Sequence, residues 1–109
     1  MKFPPSSRLL YYGLTRATYA MLWEEQDGRC LICEKKFGAL RPACIDHDHK
    51  TGKVRGLLCQ SDNWALGERH DNAGWFRRAA HYLTYPPATV LWGAAAPRLQ
   101  DAPPDMEND

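Results

Sequence analysis

The clearest pattern in the chain lies in Ile45-Asp46-His47-Asp48-His49-Lys50-Thr51-Gly52-Lys53-Val54-Arg55-Gly56-Leu57-Leu58-Cys59. Two runs with extended character flank a Lys-Thr-Gly-Lys turn, and a Thr-Gly pair between such runs is typical of a β-hairpin. Four titratable residues stand side by side at the end of the first run. Carboxylate and imidazole groups at this density are typical of a binding or catalytic site rather than of a core. The stretch therefore predicts a hairpin that carries functional side chains.

The predicted hairpin follows a predicted helix. Apolar residues at i, i+3 and i+4 favour a helix over about 16–27, with Thr15 as its N-cap and Gly28 as its stop. The two strands of the hairpin are expected over 43–48 and 54–57. This part of the chain thus combines a helix with an antiparallel pair of strands.

Two more helices are expected after the hairpin. A segment over 58–66 contains no proline or glycine and ends at Gly67, so it is interpreted as a helix. Another helix is predicted over 72–83, with Asp71 or Asn72 as its cap. Its apolar stripe is expected to pack into the core, with a dimer surface as the alternative. The stripe consists of Trp75, Phe76, Ala79, Ala80 and Leu83.

Length and composition limit the domain organisation. A chain of 109 residues is expected to form one domain over 14–85, preceded by an N-terminal arm or short helix over 1–13. Five of the eight prolines lie in residues 86–109, which predicts an extended or flexible tail. Nothing resembles a secretory signal or a membrane span, so we expect a cytoplasmic protein with no membrane partner.

Charge is distributed unevenly along the chain. Residues 1–85 hold 13 basic and nine acidic residues, whereas residues 86–109 hold one basic and four acidic residues. A mildly basic body suits a polyanionic partner such as DNA, although an ordinary solvated surface has the same composition. Charge alone therefore indicates a nucleic-acid partner only weakly.

The cysteines indicate a structural metal site. In a reducing compartment, the Cys30-x-x-Cys33 pair is more typical of a metal knuckle than of a disulfide. Cys59 and Asp62 repeat the same spacing after the hairpin, which provides three soft ligands and one hard ligand. Such a set suits Zn²⁺, with a metal-free core as the alternative.

The predicted order of strand, turn, strand and helix forms a ββα unit clamped by that zinc. Asp46 of the first strand and Asn63 of the helix would then face one hard divalent cation, because Mg²⁺ prefers carboxylate and amide oxygens. His47 can take a proton from a water molecule near neutral pH. Three basic residues of the hairpin can approach the phosphates of a polyanionic partner through charge alone. They are Lys50, Lys53 and Arg55.

These motifs, taken in order, resemble the recombination endonuclease VII family, a phage branch of the HNH (ββα-metal, or His-Me finger) nucleases. The resemblance covers residues 12 to about 83 and rests on Tyr12-Gly13-Leu14-Thr15, Gly28-Arg29-Cys30-x-x-Cys33 and Ile45 through Gly67. It implies a small α+β fold with a ββα-metal core, flanking helices and a structural zinc knuckle. It also implies cleavage of branched DNA such as Holliday junctions, usually by a dimer, in the host cytoplasm if the protein is encoded by a phage.

The resemblance also implies roles for single residues. Asp46 and Asn63 match the ligands of the catalytic Mg²⁺ or Mn²⁺, and His47 matches the general base. His49 matches a second histidine that positions the scissile phosphate or the leaving group. Three of the four structural zinc ligands of the family match Cys30, Cys33 and Cys59.

One position departs from the family pattern, because Asp62 stands where the family has its fourth zinc-binding cysteine. A carboxylate oxygen can complete a Cys₃Asp site and keeps the spacing of the knuckle, so we prefer this interpretation. Cys44 as the fourth thiolate and a site without metal are the alternatives.

The expected function is that of a metal-dependent DNA endonuclease that nicks or resolves branched or structured DNA. A zinc-stabilised DNA-binding or regulatory module without catalysis is the alternative, which suits the exchange of cysteine for Asp62. Resolution of a junction needs two sites and therefore a homodimer, whereas a nickase can act as a monomer. A redox role for Cys30 and Cys33 is disfavoured because no thioredoxin-like βαβ pattern surrounds them.

Overall fold

The structure of the chain, a computed structural model, describes residues 1–99. Its elements are α1 (Ser6–Tyr11), α2 (Arg16–Glu25), β1 (Cys44–His47), β2 (Val54–Leu58), α3 (Gln60–Glu68), α4 (Ala73–Thr84), α5 (Pro87–Trp92) and a 3₁₀ helix over Gly93–Ala95. The chain divides into two compact units, the first comprising Met1–Asp71 and the second beginning at Asn72. Within the described residues, no helix combines the length and the apolar character that a membrane crossing requires.

Helix α1 belongs to the core of the first unit. Of the two alternatives for residues 1–13, the structure shows the short helix. Its Leu9 is buried and packs in one cluster with Tyr19 of α2, Ile45 of β1 and Leu57 of β2. The start of the chain therefore contributes to the packing that supports the hairpin.

Helix α2 begins as predicted, with Thr15 as its N-cap. The Thr15 hydroxyl accepts a hydrogen bond from the backbone N–H of Thr18, and the Thr18 hydroxyl accepts one from the backbone N–H of Thr15. This reciprocal capping box satisfies two N–H groups that have no partner within the helix. The helix ends at Glu25, two residues before the predicted end. Gly28 follows with φ +63°, a conformation in which glycine lacks the steric penalty of other residues.

The predicted hairpin is confirmed, and it contains a bulge. Strands β1 and β2 form a two-stranded antiparallel sheet, in which Asp46 lies opposite Gly56 and His47 lies opposite Val54. Arg55 is therefore an additional residue on β2, with no residue of β1 directly opposite its backbone. Such β-bulges redirect a side chain relative to the regular alternation of a strand.

The tip of the hairpin is closed by Asp48. One carboxylate oxygen accepts hydrogen bonds from the backbone N–H groups of Lys50 (2.7 Å) and Thr51 (3.0 Å). The N–H groups of Thr51 and Lys50 lower the pKa of the Asp48 carboxyl below its ordinary value. Gly52 completes the turn with φ +75°. Asp48 therefore fixes the turn between the two strands.

Helix α3 follows directly from β2 and contacts β1. The prediction that it ends at Gly67 is wrong, because the helix continues to Glu68 and includes that glycine. Its end is formed instead by two residues in the left-handed region, His70 (φ 52°) and Asp71 (φ 56°). The N–H of Asp71 donates to the Leu66 carbonyl at 3.0 Å, which closes the last turn of the helix.

Helix α4 in the second unit has the predicted cap but not the predicted burial. The Asn72 side chain accepts a hydrogen bond from the backbone N–H of Trp75 at 3.0 Å. The expectation that the apolar stripe forms core is wrong, since no residue of α4 is buried and Leu83 is 75% exposed. The described part of this unit contains only α4, α5 and the 3₁₀ helix, which are too few elements to enclose a core.

The tail expected to be extended or flexible from residue 86 begins with a helix instead of an extended segment, and its flexibility stays a prediction. Pro87 stands at the first position of α5, where its fixed φ favours a helix and its missing N–H costs no hydrogen bond. The acidic end of the predicted tail, residues 100–109, lies outside the described residues. The domain limits at 14 and 85 stay a prediction.

Candidate functional site

One pocket of about 410 Å³ is formed by residues of the hairpin, of α3 and of the segment after α1. Every side chain that the sequence predicts to be catalytic lines it. These side chains belong to Asp46, His47, His49 and Asn63. The structure thus brings together a carboxylate, an amide and two imidazoles that are up to 17 positions apart in the sequence, while their roles stay predictions.

The two histidines lie side by side at the end of β1. Their ring centroids are 4.9 Å apart, and the ring of Tyr12 lies 5.7 Å from that of His47. His47 is half-buried, whereas His49 is exposed. The His47 ring therefore lies between the rings of Tyr12 and His49 and is less accessible to solvent than that of His49.

Asp46 is the most enclosed polar group of the pocket, with 7% of its side chain exposed. Both of its carboxylate oxygens accept hydrogen bonds from Arg55: Nε donates at 2.7 Å and Nη2 at 2.9 Å. Nη2 also donates to Asp71 at 3.2 Å. The hydrogen bonds to Asp46, partly opposed by desolvation, raise the pKa of Arg55 above its ordinary value. Bidentate pairs of this kind are the strongest hydrogen bonds between charged side chains.

The three predicted phosphate contacts differ in their surroundings. Lys50 and Lys53 are exposed on the hairpin turn. The guanidinium of Arg55 instead pairs with two carboxylates, and one third of its side chain is exposed. Contact of all three with DNA stays a prediction.

Four further residues of the site were missed by the sequence reasoning. Tyr12, Trp64 and Glu68 line the pocket, and Asp71 binds Arg55 from the end of α3. Tyr12 belongs to the Tyr-Gly-Leu-Thr motif and Trp64 follows Asn63 directly, so both had a signal in the sequence. Asp71 had none, because its position depends on the left-handed turn after α3.

The predicted metal knuckle forms a compact cluster. Its ligand atoms all lie within 4.8 Å of one another, and they come from Cys30, Cys33, Cys59 and Asp62. One oxygen of Asp62 lies 3.2 Å from Sγ of Cys30 and 3.1 Å from Sγ of Cys59, while Sγ of Cys33 is 3.9 Å from that of Cys59. Zinc–sulfur bonds of about 2.3 Å place tetrahedral thiolates about 4 Å apart, so this cluster can hold a metal ion.

Asp62 occupies the fourth position of this cluster, and Cys44 does not belong to it. Cys44 lies on β1 opposite Leu58. Contact with the Cys59 thiol holds the pKa of the Asp62 carboxyl below its ordinary value. The carboxylate is thus available as the hard ligand of a Cys₃Asp site.

The cluster and the pocket meet on the first turn of α3. Cys59 is the N-cap of this helix, Asp62 lies in its first turn, and Asn63 follows and donates its N–H to the Cys59 carbonyl at 3.0 Å. Asp62 therefore belongs to the cluster while its neighbour Asn63 lines the pocket. The cluster and the pocket therefore share the first turn of α3.

The fold and the two sites define a small α+β protein that joins a Cys₃Asp cluster able to hold a metal ion to a pocket of acid, amide and imidazole groups. The sequence profile of recombination endonuclease VII matches residues 6–85, so the chain belongs to the recombination endonuclease VII family.

Two curated relatives come from bacteriophages. The Gene 59 protein of Mycobacterium phage L5 is 45% identical over 86 residues, which cover 78% of this chain and 52% of the relative. The Gene 59 protein of Mycobacterium phage D29 is 44% identical over 86 residues with the same coverage. The chain thus spans about half the length of these relatives.

Proposed function

We propose that this chain is a metal-dependent DNA endonuclease of the HNH type that hydrolyses phosphodiester bonds in the cytoplasm of a host cell. Membership of the recombination endonuclease VII family supports a nuclease role on DNA. The observation that carries the proposal is the single pocket lined by Asp46, His47, His49 and Asn63. The β1, β2 and α3 order also suits a ββα-metal core.

The pocket suits a hard divalent cation such as Mg²⁺ or Mn²⁺. Its donor set combines the enclosed carboxylate of Asp46 with the amide of Asn63, and such cations prefer oxygen ligands. When bound, the cation would stabilise the negative charge that develops on the leaving oxygen. Asp46 and Asn63 are the residues that would hold it.

The other polar groups of the pocket have distinct proposed tasks. His47 removes the proton from the water molecule that attacks phosphorus, because an imidazole accepts protons near neutral pH. His49, which is exposed at the edge, positions the phosphate or the leaving group. Lys50 and Lys53 bind the DNA backbone through charge, without reading bases.

The Cys₃Asp cluster has the proposed role of a structural zinc site. Three thiolates favour Zn²⁺ over Mg²⁺, and the Asp62 oxygen completes four ligands. The site holds the segment after α2 against the start of α3, and it thereby supports Asn63. Zinc would stabilise a unit whose apolar core is small.

Cleavage of plasmid DNA tests the proposal. Purified chain with supercoiled plasmid and Mg²⁺ or Mn²⁺ should produce nicked circles, and His47→Ala should lower the rate about 10²–10⁴-fold. His81→Ala, which removes an exposed histidine of α4, is the matched control and should cleave at the wild-type rate. Wild-type rates in His47→Ala would refute the general-base role.

A non-catalytic DNA-binding or regulatory module is the second candidate. The observation in its favour is that both oxygens of Asp46 are occupied by Arg55. This candidate predicts DNA binding without nicking in any divalent cation. The plasmid experiment therefore separates the two functions.

Branched DNA as the preferred substrate and a homodimer as the active form are part of the proposal. A synthetic four-way junction should be cut faster than a linear duplex of the same sequence. The molar mass in solution, measured in parallel, should correspond to two chains, since opposed strands need two sites. A monomer that nicks both substrates equally would instead be a general nickase.

A further inference from the structure

Arg55 connects two carboxylates that are 25 positions apart in the sequence. Its Nε and Nη2 donate to both oxygens of Asp46, and Nη2 also donates to Asp71. The exposed fraction is 7% for the Asp46 side chain and 20% for that of Asp71. Two negative charges and one positive charge leave this group with one uncompensated negative charge.

A divalent cation at Asp46 would face this guanidinium on the same carboxylate. Like charges in an enclosed environment repel far more strongly than in water. An enclosed carboxylate without any counter-charge is costly as well. Arg55 therefore neutralises the charge of Asp46 when no cation is bound. The same ion pair opposes binding of a cation to Asp46.

Asp71 offers the guanidinium a second position. The residue is held at φ 56°, after His70 at φ 52°, in a conformation that side chains other than glycine rarely adopt. The N–H of Asp71 donates to the Leu66 carbonyl at 3.0 Å, which anchors it to the end of α3. The backbone of Asp71 is thus anchored at the end of α3, where its carboxylate reaches Arg55.

We propose that Arg55 is an internal counter-ion that the catalytic cation displaces from Asp46, and that Asp71 is the positioning residue that retains the displaced guanidinium beside the pocket to bind a DNA phosphate. The proposal rests on the proposed nuclease function. Asp71 does not line the pocket, so the pocket lining alone would not indicate this role.

Binding of Mn²⁺ to the zinc-loaded chain without DNA tests the first part. Free Mn²⁺ is measured by its electron paramagnetic resonance signal, and Asp46→Asn defines the fraction bound in the pocket. Arg55→Gln should bind Mn²⁺ about tenfold more tightly, a magnitude typical of residues that tune a metal ligand. Arg77→Gln, which removes an arginine of α4, is the control and should leave the affinity unchanged.

A double-mutant cycle tests the positioning role of Asp71. Asp71→Asn should weaken Mn²⁺ binding several-fold, because the displaced guanidinium loses its second partner. In the Arg55→Gln background the same change should have little effect, since no guanidinium is left to retain. A contribution of Asp71 through its charge alone would give the same fold-change in both backgrounds, and that result would overturn its assignment.

DNA affinity tests the phosphate contact. Binding of a short linear duplex is measured with Ca²⁺, in place of Mg²⁺, and without added divalent cation. Arg55→Gln should weaken binding in Ca²⁺ and reduce the salt slope by about 1, but it should have no effect without the cation, when Arg55 pairs with Asp46. An equal loss of DNA affinity with and without Ca²⁺ would overturn the proposed contact between Arg55 and a DNA phosphate.

The outcomes distinguish this inference from the proposed function. A wild-type chain that binds Mn²⁺ but never nicks plasmid refutes the nuclease while leaving the Mn²⁺ comparison intact. Unchanged or weaker Mn²⁺ binding in Arg55→Gln overturns the counter-ion, even if the wild type cleaves DNA. If Asp46→Asn does not reduce Mn²⁺ binding, the counter-ion role of Arg55 is overturned as well.

Discussion

Gln26 and Leu57 exchange two hydrogen bonds of 2.8 Å inside the first unit. Nε2 of Gln26 donates to the Leu57 carbonyl, and the Leu57 N–H donates to Oε1 of Gln26. Nε2 also donates to the Arg29 carbonyl at 2.9 Å. The amide of Gln26 thus connects the end of α2 with Arg29, which precedes Cys30, and with strand β2. Because its polar atoms have these partners, Gln26 is stable although only 5% of it is exposed.

Gln26→Met is predicted to lower the free energy of unfolding by about 3 kcal/mol, because it leaves the buried N–H and carbonyl of Leu57 without partners and removes that of the Arg29 carbonyl. Urea denaturation of the zinc-loaded chain measures the change. Gln60→Met, at an exposed position of α3, is the control and should change stability by less than about 0.5 kcal/mol. Equal stability of the two variants would contradict the structural role of Gln26.

Gly28→Ala is predicted to destabilise the chain by about 1–3 kcal/mol. Gly28 has φ +63°, and an added Cβ would lie 2.9 Å from Nε1 of Trp23. Both strain and a clash follow from one methyl group. Gly38→Ala is the control, since its Cβ would meet nothing within 4 Å, and thermal unfolding of the two variants gives the comparison.

Asp48→Ala is predicted to lower the melting temperature by more than Asp48→Asn does. The asparagine keeps an oxygen that can accept from the N–H groups of Lys50 and Thr51, whereas alanine leaves the turn without this closure. Differential scanning calorimetry measures both variants. Glu25→Ala, which removes an exposed carboxylate of α2, should have little effect, and a similar loss of melting temperature there would argue against the role of Asp48 in the turn.

Removal of the metal from the Cys₃Asp cluster is predicted to destabilise the first unit. Dialysis against a chelator should lower the melting temperature, and added Zn²⁺ should restore it, because binding free energy at a structural site contributes to folding. Cys59→Ser should lose bound zinc in elemental analysis, whereas Cys44→Ser should retain it, since Cys44 lies outside the cluster. Retention of zinc by Cys59→Ser would contradict the ligand set.

Asp62→Cys is predicted to bind zinc more tightly than the wild type. A fourth thiolate is a softer ligand than a carboxylate oxygen, and softer ligands favour Zn²⁺. Competition with a chromogenic chelator measures the affinity, and Asp62→Ala should weaken it. An unchanged affinity in both variants would show that residue 62 is not a ligand.

The sequence predicted the parts that depend on local pattern. The Thr-Gly turn between extended runs indicated the hairpin, and the repeated spacing of Cys30, Cys33, Cys59 and Asp62 indicated the cluster. The sequence indicated Thr15 as one cap and Asp71 or Asn72 as another, and the structure shows Thr15 and Asn72, because a cap depends on residues within one helical turn. These signals require no knowledge of distant contacts.

The parts that were missed depend on geometry beyond one element. The prolines of residues 86–109 predicted an extended or flexible tail, although a proline at the first position of a helix, as at Pro87, is favourable. The pairing of Arg55 with Asp46 depends on the register of the hairpin, and the role of Asp71 depends on a left-handed turn. Neither register nor turn handedness is encoded by residue type alone.

The bulge in β2 places the backbone of Arg55 outside the regular pairing of the two strands. The ladder pairs Val54 and Gly56 with β1 and passes over the residue between them. A spectroscopic label or a photocrosslinker introduced at this position would replace a side chain without changing a residue that is paired across the sheet. Deletion of this residue would give a hairpin with regular pairing in which the enclosed Asp46 carboxylate has lost its guanidinium partner.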